Sequence, residues 1–292
     1  MPLNYISGTI PFMNNKNQIS QLQLKALEYR ETLIRLSNEQ VFGIHLGGSL
    51  SLAEILTVLY FHVVKNDPEN PDWADRDRVI LSKGHGNIGL LVTLSQRGYF
   101  PISVLDDFNK TGSVFSMHTD ARVSGIEHST GSLGHGLSVS VGMALAGKRD
   151  HKPWRVYCIL GDGESMEGSV WEAMMSASHF NLDNLTAIID RNHLSQEGTT
   201  KETMSLAPLA NKGEAFGWTV IEINGHDVGE LMTAFSADSL GKPKLIIANT
   251  IKGRGVSSLE NIPGSHFAHL DDKQAQLALE QLVNEKKALK IR

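Results

Sequence analysis

The chain has 292 residues, of which 41% are hydrophobic and 20% are charged, and its net charge is −5. That length is sufficient for one large α/β domain with a well-buried sheet, or for two small domains. The negative charge argues against a nucleic-acid-binding surface, which needs clustered Lys and Arg residues, but small anionic substrates stay open because local histidines and lysines can bind them.

The cysteine content and the hydropathy of the sequence indicate the cellular compartment of the protein. The only cysteine, Cys158, lies in the apolar stretch VYCIL. The sequence therefore contains no disulfide framework, and we expect a buried structural thiol. The N-terminal residues lack a basic segment followed by an apolar core, and no apolar run approaches the length of a membrane span. These features predict a cytoplasmic protein without a membrane partner.

The N-terminal part combines an irregular segment with two helices. Residues 1–16 lack periodicity and are predicted to form an arm, whereas residues 20–37 have the apolar spacing of a surface helix. The turn GIHLGGSLS contains His45, and Ser51 is predicted to open a capping box and a helix that continues to about Val64. A glycine-flanked histidine can bind a ligand or have only a structural role in the turn, and the sequence of this turn is compatible with both roles.

Glycine-flanked histidines recur along the next part of the chain. The short buried strand VILS, residues 79–82, ends at Lys83-Gly84-His85-Gly86. Two helices are predicted over 88–97 and 102–109, and the loop MHTD with His118 follows. The turn STGSLGHG then leads into a helix over 137–146. Glycines at a helix start suit either close packing or an anionic ligand.

The stretch from residue 155 to residue 195 contains the most informative pattern. It is predicted to form a strand, a Gly161-Asp162-Gly163 turn, a helix over about 168–180, a second strand over 185–190, and a loop with Asn192. Because ligands sit at the carboxyl ends of parallel strands, we expect Asp162 and Asn192 to meet there. Carboxylate and amide oxygens suit Mg²⁺, which substrate phosphates commonly complete. An ordinary acidic β-turn would also explain the three turn residues taken alone.

The C-terminal part supplies two more strands. A polar loop over 196–206 and a helix over 207–216 precede strands over 218–223 and 244–250, which a helix over 228–237 separates. A glycine-rich loop with His266 follows, and an amphipathic helix spans roughly 271–290. Five strands alternating with helices predict an α/β fold, a doubly wound parallel sheet with helices on both faces. No repeat or linker is evident, which favours a single domain over residues 1–292.

The spacing of the turn resembles a known family. Twenty-eight residues lie between Gly163 and Asn192, and a GDG turn followed by just under thirty residues and Asn is similar to the thiamine diphosphate fingerprint. The continuation EGSVWEA narrows the resemblance to transketolase. It extends over nearly the whole chain through the motifs GIHLGGSLS, LSKGHG, MHTD, STGSLGHGL and GSH. The implied fold is the thiamine diphosphate-binding fold, specifically its diphosphate domain.

The resemblance implies a role for twelve residues. It assigns the metal, Mg²⁺ or in its place Ca²⁺ or Mn²⁺, to oxygen ligands of Asp162, Asn192 and the Leu194 carbonyl. It assigns the cofactor, thiamine diphosphate, to Gly163, His85 and His266 at the diphosphate and to Gly131 and Leu133 near the aminopyrimidine. It assigns the catalytic work to His45 and His118 facing the sugar, and to Glu167 and Glu172 in an interfacial carboxylate cluster. The five-residue spacing of the two glutamates does not put them squarely on one helix face, so solvated positions are the alternative.

The resemblance also implies a reaction and a partner. Thiamine diphosphate supplies a carbanion, and histidines titrating near neutrality can stabilise an alkoxide and move protons. The implied reaction transfers a two-carbon ketol unit from a ketose, expected to be phosphorylated, to an aldose. The chain matches only the diphosphate half of transketolase, so it resembles the N-terminal subunit of a split enzyme. Activity would then require a separate pyrimidine-domain chain, in an α2β2 complex.

Three departures and two alternatives accompany the resemblance. His135 stands where the family usually has glutamine, MHTD lacks the customary Pro-Gly, and the His266 segment lacks the usual Val-His-Gly sequel, so the sugar stays open. The first alternative is the α subunit of a thiamine-dependent 2-oxo acid dehydrogenase, which shares GDG…N and decarboxylates its substrate. The second is a non-catalytic scaffold with the same fold. The stretch EGSVWEA and the histidines favour transketolase over the first alternative, and intact Asp162, Asn192 and all four histidines count against the second.

Overall fold

The structure is a computed structural model that describes residues 15–40 and 43–291. Within these ranges the strands are β1 (Arg78–Leu81), β2 (Val156–Gly161), β3 (Leu185–Arg191), β4 (Thr219–Asn224) and β5 (Lys244–Asn249). They form a sheet in the order β1-β2-β3-β5-β4, and every neighbouring pair is parallel. The predicted α/β fold with a parallel sheet is confirmed.

Helices flank the sheet in the order that a doubly wound fold requires. In the described ranges they are α1 (Asn15–Glu39), α2 (Leu46–Leu50), α3 (Ala53–Val58), α4 (Asn87–Arg97), α5 (His135–Arg149), α6 (Gly168–His179), α7 (Thr200–Met204), α8 (Leu209–Ala215), α9 (Val228–Ser236) and α10 (Asp272–Ile291). A π-helical turn covers Leu59–Val63, and short 3₁₀ turns cover Gly84–Gly86, Ile102–Asp107, Glu164–Met166 and Pro263–His266.

Each face of the sheet carries its own apolar core because side chains alternate along the strands. In β2, Tyr157 and Ile159 belong to one cluster, and Val156, Cys158 and Leu160 belong to the other. The first cluster includes residues of α1, α3, α4, α9 and α10, and the second includes residues of α5, α6 and α8. Helices therefore cover both faces, as predicted, and the thiol of Cys158 is buried.

The strand register brings several chain segments to one edge of the sheet. Gly161 of β2 lies beside Asp190 of β3, and Arg191 of β3 lies beside Asn249 of β5. The chain thus leaves three adjacent strands at their carboxyl ends within a short distance of one another. The polar residues that follow these strands meet at this edge.

Two predicted elements near the N-terminus need correction. The predicted arm over residues 1–16 falls mostly outside the described residues, but Asn15 and Lys16 already belong to α1. The predicted capping box at Ser51 is wrong, because α3 begins at Ala53 and Leu52 is its N-cap residue. The Ser51 hydroxyl instead donates to Asp190 Oδ2 at 2.7 Å. A buried carboxylate competes successfully for this hydroxyl, and the helix predicted up to about Val64 is divided into shorter segments.

Other differences concern loops. The helix predicted over 102–109 is a short 3₁₀ turn, Ile102–Asp107. The polar loop predicted over 196–206 contains α7, whose N-cap Thr199 forms a capping box with Glu202. No helix within the described ranges combines the length and the apolar character needed to cross a bilayer.

Candidate functional site

A cavity of about 440 Å³ opens at the carboxyl ends of the strands. This volume lies in the range of roughly 300–1,000 Å³ that small-molecule and cofactor sites occupy. Eleven of the twelve predicted site residues line it, namely His45, His85, His118, Gly131, Leu133, Asp162, Gly163, Glu167, Asn192, Leu194 and His266. Glu172 is the exception. The fold therefore gathers into one cavity residues that are widely separated in the sequence.

Four histidine rings face one another in this cavity. The His45 ring centroid lies 5.5 Å from that of His85, 6.0 Å from that of His118 and 5.2 Å from that of His266. The His85 and His266 centroids are 5.0 Å apart. The rings contact one another at these separations, and all four residues line the cavity, where their nitrogen atoms can meet a polar ligand.

The environment keeps three of these histidines neutral at physiological pH. Burial, followed by the charge of Lys83, lowers the pKa of His85 to about 2. Burial is also the main reason why the pKa values of His45 and His266 fall to about 4. Neutral imidazoles can both donate and accept hydrogen bonds, which suits contacts with hydroxyl groups. The Nδ1 atom of His45 is buried and has no hydrogen-bond partner among the described residues.

A short antiparallel contact positions two of the histidines. Ile44 and Ala268 donate backbone N–H groups to each other's carbonyl oxygens, each at 2.9 Å. His45 follows the first of these residues, and His266 precedes the second by two positions. The contact therefore joins two loops that are more than two hundred residues apart in the chain and aims both rings at the cavity.

Asp162 and Asn192 meet at the edge of the sheet, as their positions after β2 and β3 predict. Asp162 is 3% exposed, and its carboxylate accepts hydrogen bonds from the backbone N–H of Gly163 at 2.8 Å and of His193 at 2.5 Å. Asn192 Oδ1 accepts a bond from the N–H of Leu194 at 3.2 Å. Burial, reinforced by the charge of Asp190, raises the pKa of Asp162 to about 6.

This donor set is suited to a hard cation. A divalent ion next to Asp162 would compensate a carboxylate that burial otherwise penalises. The Leu194 carbonyl accepts no hydrogen bond from the residues the structure describes, so its oxygen is available as a further ligand. Those residues contain no group of three or more His, Cys, Asp or Glu side chains that could hold a metal. A cation here would depend on one carboxylate, on amide and carbonyl oxygens, and on ligand phosphate or water, which is the usual arrangement for Mg²⁺.

Two lysines missed at the level of the sequence also line the cavity. Lys83 Nζ donates to Asp190 Oδ2 at 2.6 Å and to the Gly48 carbonyl at 3.0 Å. Burial alone raises the pKa of Asp190, but Lys83 and neighbouring hydroxyl groups outweigh it and keep that pKa below its usual value. Asp190 is therefore ionised, and its ion pair with Lys83 holds the Lys83 side chain beside the cavity.

The second lysine, Lys252, is 2% exposed. Its Nζ donates to the Ser195 carbonyl at 2.9 Å and lies 3.4 Å from His266 Nδ1. Burial and the charge of Lys83 lower the pKa of Lys252 to about 8. Both lysines follow strand ends, so the rule that singled out Asp162 also applies to them. Both side chains line the cavity, and Lys252, which does not share the ion pair between Lys83 and Asp190, is the one suited to binding an anion.

Glu164 was also missed, and it connects three of the loops around the cavity. Its carboxylate accepts hydrogen bonds from the N–H groups of Gly134 at 2.9 Å and Gly161 at 3.0 Å, and from the hydroxyl of Ser82. Burial raises its pKa, although these donors counteract that effect. The sequence feature that could have identified Glu164 is its position directly after the GDG turn, where it places a second acidic side chain close to Asp162. Its position in the short 3₁₀ turn directs it inward.

The two predicted interfacial glutamates occupy different positions. Glu167 is the N-cap residue of α6, is exposed and lines the cavity. Glu172 is exposed on α6 and does not line the cavity. Five residues correspond to nearly one and a half helical turns, so the two side chains leave the helix in different directions. The single-chain cavity therefore contains only Glu167 of this pair.

His135, one of the departures noted in the sequence, lies at the start of α5. Its Nδ1 is 3.0 Å from the Leu133 carbonyl and 3.3 Å from the Ser132 hydroxyl. The side chain is exposed and does not line the cavity. The glutamine-to-histidine departure therefore affects the outside of the glycine turn that carries Leu133.

Comparisons with known proteins agree on one family. Residues 35–292 match the family described as "Transketolase, thiamine diphosphate binding domain". The chain is 43% identical over 273 residues to a 6-deoxy-6-sulfo-D-fructose transketolase subunit of Clostridium sp. strain MSTE9, covering 91% of this chain and 99% of the relative. It is 42% identical over 267 residues to an apulose-4-phosphate transketolase subunit of Phocaeicola vulgatus, covering 91% and 95%.

Solved structures give the same answer at the level of the fold. The transketolase of Campylobacter jejuni is similar with a TM-score of 0.76 at 30% identity, covering 94% of this chain and 48% of that one. A Pichia stipitis transketolase in complex with sedoheptulose 7-phosphate is similar with a TM-score of 0.79 at 27% identity, covering 92% and 45%. The chain thus spans about half the length of these solved enzymes.

Proposed function

This chain belongs to the transketolase family as a subunit with the thiamine diphosphate-binding domain, and we propose that it transfers a two-carbon ketol unit from a ketose to an aldose together with a separate pyrimidine-domain chain. The observation that carries the proposal is the single cavity at the strand ends. It combines two buried carboxylates, Asp162 and Glu164, with an amide oxygen, two lysines and four histidines. That combination suits a metal-bound diphosphate next to a polar sugar.

The residues around the cavity fit thiamine diphosphate with a divalent ion. Asp162, Asn192 and the Leu194 carbonyl would bind Mg²⁺, for which Ca²⁺ or Mn²⁺ can substitute. The diphosphate would contact Gly163, His85 and His266, and Gly131 and Leu133 would lie near the aminopyrimidine. Support comes from the raised pKa of Asp162, which a bound cation would reverse, and from the position of these residues around one cavity.

Lys83 and Lys252 add charge to this arrangement. Both ammonium groups lie on the wall that also contains His85 and His266. A diphosphate carries more negative charge than one divalent ion neutralises, so nearby cations stabilise it further. We assign the remaining compensation mainly to Lys252, because Asp190 already neutralises Lys83.

The catalytic assignments concern the sugar side of the cavity. Thiamine diphosphate bound here would supply the carbanion chemistry that a ketol transfer needs. His45 and His118 would orient the sugar hydroxyls and exchange the proton that C–C bond cleavage requires. The buried, unpartnered Nδ1 of His45 is suited to such a hydroxyl contact. Glu167 and Glu172 would lie at the interface with other subunits, which is consistent with the exposure of both side chains.

The relatives narrow the substrate class. Their names specify a sulfo sugar in one case and a sugar phosphate in the other. An anionic substituent is the feature common to the two names. We therefore propose a ketose donor with an anionic group, most simply a phosphate, on the carbon chain beyond the carbonyl. The names of the relatives do not specify an acceptor, so the proposal for the acceptor remains an aldose.

The assembly and the compartment are part of the proposal. The relatives are named as subunits, which supports a partner that provides the pyrimidine domain. We propose that residues 1–292 form one diphosphate domain and that two pairs of chains assemble about a two-fold axis as α2β2. The buried state of the only cysteine suits a reducing compartment such as the cytoplasm.

The reaction can be tested by supplying both candidate substrate classes to the same preparation. The chain would be purified together with its pyrimidine-domain partner and supplied with Mg²⁺ and thiamine diphosphate. We expect a phosphorylated ketose and an aldose to give a product lengthened by two carbons, detected by mass spectrometry. A 2-oxo acid should release no carbon dioxide. Release of carbon dioxide without ketol transfer would instead identify a 2-oxo acid dehydrogenase, and failure to bind the cofactor would identify a scaffold.

Alanine variants should separate cofactor binding from chemistry. His45→Ala and His118→Ala should retain thiamine diphosphate but lose about 100-fold or more in kcat/KM, if either histidine transfers a proton. His85→Ala and His266→Ala should weaken cofactor binding as well, because they are assigned to the diphosphate. Calorimetry would measure the cofactor affinity and steady-state assays the activity.

His128→Ala provides the matched control for these variants. His128 is exposed and does not line the cavity, so its replacement should change neither quantity by more than about twofold. Equal losses of cofactor affinity in all four cavity variants would contradict the proposed division between sugar and diphosphate.

A further inference from the structure

We propose that His226 is a positioning residue, which acts by holding the loop Ile251–Gly255 so that Lys252 faces the cavity. The inference rests on the proposed function, in which Lys252 binds the cofactor diphosphate. His226 itself lies between β4 and α9 and does not line the cavity. Its effect on the site must therefore pass through the backbone that it contacts.

Both ring nitrogens of His226 have a defined partner. Nε2 lies 2.8 Å from the backbone nitrogen of Ile251, which can only donate. Nε2 must therefore be the unprotonated, accepting nitrogen. Nδ1 then carries the hydrogen and donates it to Glu54 Oε2 at 2.8 Å. A donor on one side and an acceptor on the other fix the orientation of the imidazole and the role of each ring nitrogen.

Glu54 in turn is fixed by a buried arginine. Arg30 donates to Oε1 of Glu54 at 2.6 Å and to Oε2 at 2.7 Å, and both residues are buried. Burial by itself raises the pKa of Glu54, but Arg30 and His226 outweigh this effect and bring the pKa down to about 2. Glu54 is therefore always ionised near neutral pH. A permanent carboxylate keeps the Nδ1–H tautomer of His226 in place.

Arg30 also contacts the other end of the loop Ile251–Gly255. Arg30 Nε donates to the Arg254 carbonyl at 3.1 Å. Between the two ends, the N–H of Gly253 donates to the Gly47 carbonyl at 2.9 Å. Gly253 also has a φ of +81°, a value that L side chains rarely adopt. The backbone on both sides of Lys252 is thus fixed by hydrogen bonds to three other segments.

A fixed backbone is especially important for the position of a lysine ammonium group, because the side chain that carries it is long and flexible. The lysine side chain has many rotamers, and its ammonium group is a point charge without a preferred plane. Lys252 is buried along its length, and its Nζ reaches the Ser195 carbonyl beside the cavity. A shift of the Ile251–Gly255 loop would displace this charge from the diphosphate. Preorganisation of this kind improves affinity without adding a contact.

Two substitutions of His226 each retain one of its two hydrogen bonds and remove the other. In His226→Gln, the side-chain oxygen can take the position of Nε2 and accept from the Ile251 N–H. In His226→Asn, the shorter amide can donate to Glu54 from the position of Nδ1, but nothing reaches Ile251. Thiamine diphosphate affinity would be measured by calorimetry at saturating Mg²⁺ on the chain assembled with its partner, for these variants with and without Lys252→Met.

We expect Lys252→Met to weaken cofactor binding by at least about tenfold, because it removes a charged hydrogen-bond donor. His226→Asn should weaken it by about five- to tenfold, and His226→Gln should stay within about twofold of the unsubstituted chain. In the Lys252→Met background, His226→Asn should cause no further loss of cofactor affinity. His226 is proposed to act only by positioning the Lys252 ammonium group, which Lys252→Met has already removed. Equal losses in the Gln and Asn variants, or a full Asn effect without Lys252, would overturn the proposal.

A measurement on the unsubstituted chain covers the case in which the Asn variant does not fold. Nitrogen-15 NMR of histidine-labelled protein distinguishes protonated from unprotonated ring nitrogens, and His226→Gln assigns the signal. We expect Nε2 of His226 to be unprotonated and Nδ1 to be protonated at neutral pH; a protonated Nε2 would contradict the inference. Cofactor affinity and ketol transfer in the unsubstituted complex test the proposed function separately. If both are normal and Lys252→Met binds cofactor normally, the positioning proposal and the assignment of Lys252 to the diphosphate fail, while the proposed reaction stands.

Discussion

Replacing Asp162 with alanine should abolish thiamine diphosphate binding, with a loss of affinity of at least about 100-fold. Asp162 provides the only carboxylate in the proposed cation site, and its side chain is almost completely buried. Without it, the divalent ion loses its charged ligand, and the diphosphate charge is left uncompensated. Calorimetry on the assembled enzyme at fixed Mg²⁺ concentration is the measurement. Asn192→Ala should weaken binding in the same direction.

The control for this experiment is Asp106→Ala. Asp106 is exposed in the 3₁₀ turn Ile102–Asp107 and does not line the cavity, so the same chemical change there should leave affinity within about twofold. Circular dichroism would establish that both variants are folded. Unchanged cofactor affinity in a folded Asp162→Ala variant would refute the metal assignment.

The chain on its own should show no ketol transfer, and addition of the pyrimidine-domain partner should restore the activity. The proposed diphosphate and metal sites are formed by residues of one sheet edge, and the proposed pyrimidine-domain partner would supply, from the other side of the cofactor, the carboxylate that activates it. The exposed Glu167 and the open cavity next to it are consistent with a partner covering this edge. The partner should bury an extensive surface, on the order of 1,600 Å² or more.

This prediction is measured by assaying the separately purified chain, the separately purified partner and their mixture. Size-exclusion chromatography with light scattering would establish whether the mixture reaches the mass of α2β2. A homogeneous preparation of this chain alone that transfers ketol units at about 1 per second or faster, an ordinary enzymatic turnover, would exclude the split-enzyme proposal.

Much of the candidate site could be predicted because one geometric rule determines it. In a parallel sheet, residues that follow the strands meet at the carboxyl edge, so Asp162 and Asn192 could be paired from sequence spacing alone. The same rule applied to Lys83 and Lys252 would have found two more residues that line the cavity. Neither lysine was among the predicted metal ligands, glycine turns, histidines and glutamates, although a diphosphate also needs positive charge.

What could not be predicted depends on partners distant in sequence. Ser51 has the local pattern of an N-cap, yet its hydroxyl binds Asp190, which is 139 residues away. The capping box does not form because the buried Ser51 hydroxyl donates to the buried Asp190 carboxylate, which also accepts from Lys83 and Thr250. The bond between His226 and Glu54 likewise spans 172 residues. Patterns of period two or 3.6 carry no information about such contacts.

The contact between Ile44 and Ala268 also affects the order in which the protein can acquire its site during synthesis. The first three strands, together with Asp162 and Asn192, leave the ribosome well before Ala268 does, and early segments can begin to fold at that stage. The turn before His45 cannot pair until Ala268 has emerged, so the histidine cluster is completed after the proposed metal ligands Asp162 and Asn192 have been synthesised. A ribosome-bound chain that stops before Ala268 would contain all five strands and both proposed ligands, but not the completed cavity at the strand ends. Loading with cofactor is therefore expected to be a late event in biogenesis.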